Sequence, residues 1–417
     1  MEITLNFNLL RGLRVVESSA FIAAPLAGLT LAQYGADVIR VDMIGGGIDY
    51  ARLPMMPNGR SLYWTGLNKG KRSVAIDIRR PEGRELMQSL AAAPGTHGGA
   101  LLTNIGVPWL SHTVLSKFRA DIITCTIEGN PDGSTAVDYT VNCATGFPSM
   151  TGGGLVDAPV NHVLPAWDIA CAYQAAFGVA AAVSNRQATG QGAELRLALS
   201  DVAFSMLSHL GMLAEAEMLH QERPSLGNYL YGAFGKDFAT LDGKRVYVAA
   251  ISLGQWKSLV KACSLEGTCD RIESDLHLNL EKEGDRYAAR EAIGMQVGSW
   301  CGSRTFDEVR EAFNSHKVCW GLYQTVREAF ANDQRLSEAN PVFERVNTPG
   351  VGVHLAAGAT LRVSGLHRGA TVAAPVLGQH TDEVLLEVLG MDEGAVGRLH
   401  DAGIVAGADK DPLMQRA

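Results

Sequence analysis

The chain has 417 residues and a formal net charge of −8, from 36 Lys and Arg against 44 Asp and Glu. That length exceeds one simple core and predicts two lobes. A mildly acidic chain without basic blocks argues against nucleic acid as a main partner, although a few local cations suffice for a phosphorylated small molecule. Its 7 cysteines form no CxxC pair, which fits reduced thiols rather than a disulfide or zinc framework.

The first stretch, MEITLNFNLLRGLRVVESSA, lacks a basic region followed by an apolar one, and no uncharged apolar run reaches the roughly 20 residues that span a bilayer. A cytoplasmic protein without a membrane partner is expected. LRVVESS reads as a strand, APLAGLTLAQYGA as a helix and DVIRVDM as a second strand, the crossover unit that a parallel sheet requires. RSVAIDI, GALLTNI and DIITCTIEG continue the strand series, and PEGRELMQSLAAA is a helix with Pro81 in its first turn. These elements predict a Rossmann-like, doubly wound α/β lobe. No GxGxxG follows the first strand, so a nicotinamide cofactor is not expected.

PAWDIACAYQAAFGVAAAVSNRQATGQG is a long helix ending near Gly190, and AELRLALSDVAF is a strand running into another helix. The pattern changes near QERPSLGN. AFGKDFATLDGKRVYVAAIS reads as a hairpin turning at Asp242-Gly243. The predicted boundaries are a large domain over 1–225 and 326–417 and a small α+β domain over 226–325. The tail PVLGQHTDEVLLEVLGMDEGAVGRLHDAGIV carries two short helices and a last strand.

No HExxH or other metal-ligand spacing and no GxSxG elbow is present, so neither a metal site nor an ordinary serine hydrolase is expected. The densest cationic patch is NKGKRS, with Lys69, Lys71 and Arg72. It is either a solvated turn or a seat for phosphates. Asp168 stands alone at the mouth of the long apolar helix. One reading is a helix N-cap. The other is an acyl-accepting nucleophile, kept ionised by the helix N-terminus and poorly solvated by its apolar neighbours.

An ordered set of segments carries a resemblance: LRGLRVVESSAFIAAPLAGLTLAQYGADVIRVD, SLYWTGLNKGKRSVAIDIRRPEGRELM, LLTNI, RQATGQGAELRLALSDVAF and APVLGQHTDEVLLEVLG. In these the chain resembles the class III CoA-transferases. The resemblance implies two lobes per chain, an obligate interlocked homodimer, and coenzyme A entering as part of a substrate thioester, with no tightly bound cofactor. Its nucleophilic aspartate matches Asp168. Its CoA-binding positions match Ala20, Phe21, Ile22 and Ala23, then Lys71 and Arg72, then Asn104 and Ile105. Many members carry an arginine after the second strand, where this chain has Met43.

The racemase branch of the family uses a histidine in a GHDINY-type segment, where this chain has Val137 within AVDYTVN. The oxalate-using branch carries a tetraglycine flap, where this chain has GNYLYGAFGKDF. EGNPDGSTAVDYTVN, NHVLPAWD and GNYLYGAFGKDFATLDGKRV resemble the branch that moves CoA between the C1 and C4 carboxyls of mesaconyl-CoA. The alternative is intermolecular transfer from a dicarboxyl-CoA, such as succinyl-CoA, to a free diacid. A non-catalytic acyl-CoA binder would not need Asp168. FIAAP and Trp167 are expected to exclude water, backbone amides near Asp168 to meet an oxyanion, and His162, Asn228, Tyr229 and Tyr231 to hold a distal carboxylate.

Overall fold

Parallel strands joined by helices organise the first of two units of the computed structural model, which describes residues 7–96, 98–152 and 159–413. This unit takes the chain up to residue 145, then 163–214, then from 334 onward; the second unit takes 146–162 and 215–333.

In the first unit β1 (Arg14–Ser18) leads through α1 (Ala23–Gln33) to β2 (Asp37–Asp42). Helix α2 (Leu62–Leu67) precedes β3 (Arg72–Ile76), and α3 (Pro81–Ala91) precedes β4 (Ala100–Thr103). A single turn, α4 (His112–Leu115), leads to β5 (Ile123–Glu128). Then follow α5 (Asp138–Ala144), the short α6 (Phe147–Met150) of the second unit, α7 (Ala166–Thr189), β6 (Ala193–Ala198) and α8 (Leu199–His209).

The sheet order is β12-β3-β2-β1-β4-β5-β6, and every pair is parallel except the edge strand β12 (Val405–Ala406) against β3. This is the doubly wound order, in which chain direction reverses between β1 and β4 and the loops at their carboxyl ends diverge to leave a crevice. Burial drives the layering. Val16, Ile39, Val41, Val74, Ile76 and Leu101 from the strands meet Leu86, Met87 and Leu90 of α3, and Val384, Leu385 and Val388 from the C-terminal part of the unit. Each such buried side chain contributes about 1.5–3 kcal/mol. On the other face α7 packs on β5, β6 and α1. The alanines of α1 and α7 allow that approach, and Gly190 ends α7 at φ 73°. Helix α7 is long and apolar enough to cross a membrane by length and composition alone; one face of it, with Ala172, Ala175, Val179 and Arg186, is buried in the unit, while Tyr173 and Phe177 are exposed.

Helix α9 (Met212–Leu219) carries the chain into the second unit. There β7 (Phe234–Ala239) and β8 (Arg245–Ala250) form the expected antiparallel hairpin, with Gly243 at φ 79° in its turn, and β9 (Cys319–Leu322) pairs with β8. Phe234, Phe238, Val246 and Val248 pack against Trp256, Leu259, Ile293, Val297 and Phe313 of its helices. The unit is larger than the predicted 226–325. Glu215 pairs with Arg223, and the Ser225 hydroxyl donates to the Gly152 carbonyl at 2.7 Å, so polar bonds recruit segments that show no apolar periodicity. The tail of the chain gives α16 (Thr381–Leu389), α17 (Glu393–Asp401) and β12 of the first unit.

Beneath α1 lies a buried ion network. The Lys71 ammonium meets Glu17 at 2.9 Å and the Pro25 carbonyl at 2.8 Å, while Arg40 reaches Glu17, Asp42 and Asp49. Burial lowers the Lys71 ammonium to about 8 against the opposing pull of Glu17. Gly28 makes room for this pair, because a Cβ there would lie 1.7 Å from a Glu17 carboxylate oxygen. Gly28→Ala is therefore expected to destabilise the fold by about 1–3 kcal/mol, measured by denaturant unfolding; unchanged stability would mean that α1 does not press on the ion pair.

Candidate active site

The crevice at the carboxyl edge of the parallel sheet opens into a cavity of about 620 Å³, within the size range of small-molecule sites. Phe21, Ile22 and Ala23 line it from the turn after β1, Asn104 from the end of β4, Val137, Asp138 and Tyr139 from the start of α5, and Asp168 from the start of α7. Arg52 and Tyr63 complete one side. Six of the residues picked out by sequence thus have definite places here. Asp168, Phe21, Ile22, Ala23 and Asn104 meet at the cavity, and Ala20 is fastened beside it. The Asn104 carboxamide accepts from the Ala20 amide at 2.9 Å and donates to the Ala20 carbonyl at 2.8 Å, clamping the loops after β1 and β4 together. Ile105 lies next in line, its amide donating to the Thr103 hydroxyl. Phe21 has φ 66°, rare for a bulky residue, and its amide donates to buried Asp49 at 3.0 Å. Arg40 also reaches Asp49, so the ion network below α1 sets the shape of this loop.

Asp168 is not the N-cap of α7. The helix starts at Ala166, with Pro165 at the cap position, and Asp168 is its third residue. The capping carboxylate is Asp138, whose Oδ2 accepts the amides of Trp167 at 2.7 Å and Asp168 at 3.1 Å. The Ala166 and Ile169 amides donate to the Leu164 and Pro165 carbonyls. All the amides that open α7 are thus engaged, which corrects the expectation that they meet an oxyanion. The amides of Ile22 and Ala23, at the start of α1 and on the same cavity, have no acceptor among the described residues.

The Asp168 carboxylate itself accepts no hydrogen bond and has no counter-charge among the described residues. Burial first, and then the like charge of Asp138, push it up to about 6. This reverses the sequence expectation that the helix N-terminus lowers it: the positive end of α7 is occupied by Asp138, so desolvation dominates. Its basicity is thereby raised while it remains mainly ionised at neutral pH, as suits a carboxylate nucleophile.

The cations expected to seat CoA phosphates are elsewhere. Lys71 is fully enclosed by Glu17, Pro25 and Asn68. Arg72 opens β3, at the edge of the sheet opposite the crevice, and is held by Asp37, Glu383 and Glu387. Cations past the carboxyl ends of the strands include Arg79, in an exposed pair with Asp77 just past β3, and Arg52 on the cavity. Met43 follows directly on β2.

Trp167, the second residue of α7, is buried, its indole donating to Asn142 at 3.0 Å, and it is not among the residues that line the cavity. His162, Asn228, Tyr229 and Tyr231 belong to the second unit. There the Tyr231 hydroxyl donates to Glu215 at 2.9 Å, Tyr229 lies under Lys236, and Asn228 bonds Asp237. His162 is half-buried, its amide bonded to Asn161. Sequence reasoning missed Asp138, Tyr139, Tyr63 and Arg52. The segment AVDYTVN held the signal for Asp138, an acid opening a short helix; a lone arginine in an irregular loop gave none for Arg52.

The doubly wound sheet places a desolvated aspartate at its switch-point crevice, and comparison with known proteins gives the class of the chain. Residues 10–381 match the model of CoA-transferase family III, and the chain belongs to that family. It is 52% identical over 404 residues to 2-methylfumaryl-CoA isomerase of Chloroflexus aurantiacus, covering 96% of this chain and 99% of that one. It is 26% identical over 424 residues to formyl-CoA:oxalate CoA-transferase of Rhodopseudomonas palustris, covering 94% and 96%. A solved CAIB/BAIF family protein from Brucella suis superposes with a TM-score of 0.74 at 23% identity, covering 91% of this chain and 99% of that one, which shows a shared fold.

The carboxyl of Asp168 sits higher in the folded chain than in the unfolded one, from 3.8 to about 6. Its stabilising share is therefore complete below pH 3.8 and is lost as pH rises through about 6. Asp168→Asn is expected to stabilise the fold at pH 7.5 by at most about 3 kcal/mol, less whatever solvent screens, with the gain vanishing below pH 4. Thermal unfolding across pH 3.5–8 checks this; a destabilised Asn variant at pH 7.5 would contradict it.

Proposed function

We propose that this chain moves CoA between the C1 and C4 carboxyls of 2-methylfumaryl-CoA (mesaconyl-CoA) through an Asp168-bound intermediate. The observation that carries the proposal is the Asp168 carboxylate, unpartnered and desolvated, on the wall of the cavity. The named relative at 52% identity supports the choice of substrate. In this reading the enzyme works in the cytoplasm as an interlocked homodimer of two-lobed chains, as the family resemblance implies.

The steps balance without an external proton or cofactor. Asp168 attacks the C1 thioester carbonyl, the C–S bond breaks, and a mixed anhydride and CoA thiolate result. The retained thiolate attacks the Asp168 carbonyl, giving an aspartyl-CoA thioester and the free diacid. The diacid turns, and its other carboxylate attacks that thioester, expelling thiolate and forming a second anhydride. Thiolate attack on the diacid carbonyl of this anhydride gives the C4 thioester and restores Asp168.

Each tetrahedral intermediate places negative charge on oxygen, and the unengaged amides of Ile22 and Ala23 are the donors facing the cavity. Asn104 and Asp49 hold that loop in register. Hydrolysis of anhydride and thioester must be suppressed, and in this reading the apolar lining of Phe21, Ile22, Ala23 and Val137 serves to keep water from Asp168. Val137 lines the cavity where a racemase presents histidine, and it offers no base for an α-proton.

Asp168→Ala is expected to lower isomerisation by about 10⁴-fold or more, with CoA-ester binding retained. Retained turnover would remove the nucleophile. Turnover of 2-methylfumaryl-CoA in the presence of ¹³C-labelled free mesaconate is expected to leave the product unlabelled. Efficient label entry would replace the intramolecular reading with transfer to a free diacid.

A further inference from the structure

The cavity beside Asp168 holds a cation that the acyl-transfer steps do not use. Arg52, in the irregular loop after β2, lines the cavity together with Phe21, Tyr63, Tyr139 and Asp168. Its guanidinium carbon lies 5.3 Å from the centroid of the Phe21 ring and 5.3 Å from that of Tyr63. Two aromatic rings thus flank the guanidinium, and its N–H donors have no acceptor among the described residues. Other arginines of this unit are bound to carboxylates, Arg40 to Glu17, Asp42 and Asp49, and Arg72 to Asp37, Glu383 and Glu387. Arg52 has no acidic partner among the described residues. Asp49 is already taken by the Phe21 amide and Arg40.

Tyr63 ties this cation to the nucleophile. Burial first, opposed by Arg52 and aided by the charge of Asp168, pushes the Tyr63 hydroxyl up to about 12. Both charges therefore act on one hydroxyl of the cavity lining. In a CoA thioester the phosphates stand away from the reacting carbonyl by the full pantetheine arm. A cation that lines the same cavity as Asp168 is placed for the acyl end of the substrate, and a guanidinium fork there matches a carboxylate by two parallel hydrogen bonds.

We infer that Arg52 binds the free carboxylate of a dicarboxyl-CoA substrate and retains the diacid while CoA rests on Asp168, so that it sets both the preference for diacids and the intramolecular course of transfer. This rests on the function proposed above. At each anhydride stage one carboxyl of the diacid is bonded to Asp168 and the other is a full anion. Between the two halves of the reaction both are anions, and a grip on one end lets the molecule exchange ends without leaving. A monocarboxyl-CoA ester has no group for Arg52 to hold.

The test compares binding of 2-methylfumaryl-CoA and crotonyl-CoA by calorimetry, in an Asp168→Asn background that prevents turnover. Adding Arg52→Gln is expected to weaken the dicarboxyl ester by about 10–100-fold and the monocarboxyl ester by less than about twofold, as for loss of a charge-assisted hydrogen-bonded pair. Arg52→Lys should fall between, keeping the charge and losing the fork. In an otherwise wild-type enzyme, Arg52→Gln should let labelled free mesaconate enter the product. Equal weakening of both esters, which a merely structural loop residue would give, overturns the inference, as does no weakening of either. Should the wild-type enzyme fail to isomerise 2-methylfumaryl-CoA at all, the proposed function falls, while the affinity ratio still decides the role of Arg52.

Discussion

One carboxylate, Asp138, accepts two amides at the mouth of α7, and the state of the next side chain follows from that arrangement. With the positive helix end already matched, Asp168 has no donor to stabilise its anion, and the like charge of Asp138 raises its basicity further. A capped aspartate would be a stable, weakly basic anion. An uncapped one beside a second acid is more basic, as the proposed nucleophile has to be, and is held at the cost of some folding stability. The chemistry requires this distinction, since the acyl group must leave thiolate for carboxylate and then return.

The nucleophile is useful only if the acyl carbonyl arrives at a fixed place, and the other half of the site supplies that. Asn104 joins the loops after β1 and β4 where the sheet reverses direction. Asp49 holds the Phe21 amide, and Arg40 holds Asp49 from within the buried network. A left-handed Phe21 is a costly conformation, and Asp49 at its amide and Asn104 at the preceding Ala20 hold it. The network that includes Lys71 and Glu17 therefore acts at a distance. Through Asp49 it is tied to the loop that carries the unengaged Ile22 and Ala23 amides.

Much of the first unit was legible in the sequence because strands buried on both faces read as short apolar runs, and Gly35, Pro81 and Gly190 punctuate them. Asp168 was legible because one acid before a long apolar helix is conspicuous. Its protonation was not, since which carboxylate caps α7 depends on a bond spanning 30 residues. Lys71 and Arg72 misled for a related reason. A run of cations reads as a surface patch, but Lys71, just before β3, is drawn inward to Glu17 and the Pro25 carbonyl, and Arg72 opens that strand at the edge away from the crevice. The segment 146–162 joins the second unit through polar bonds, to which apolar periodicity is blind. Arg52 acquires its meaning only from the two rings that flank it.

Residence of CoA on the Asp168 side chain is the central claim, and peptide mass spectrometry of enzyme acid-quenched during steady-state turnover of 2-methylfumaryl-CoA tests it most directly. The account predicts a CoA thioester on the peptide containing Asp168, discharged when substrate is exhausted. An adduct on another residue, or continued turnover with no adduct at any point in the time course, would contradict it.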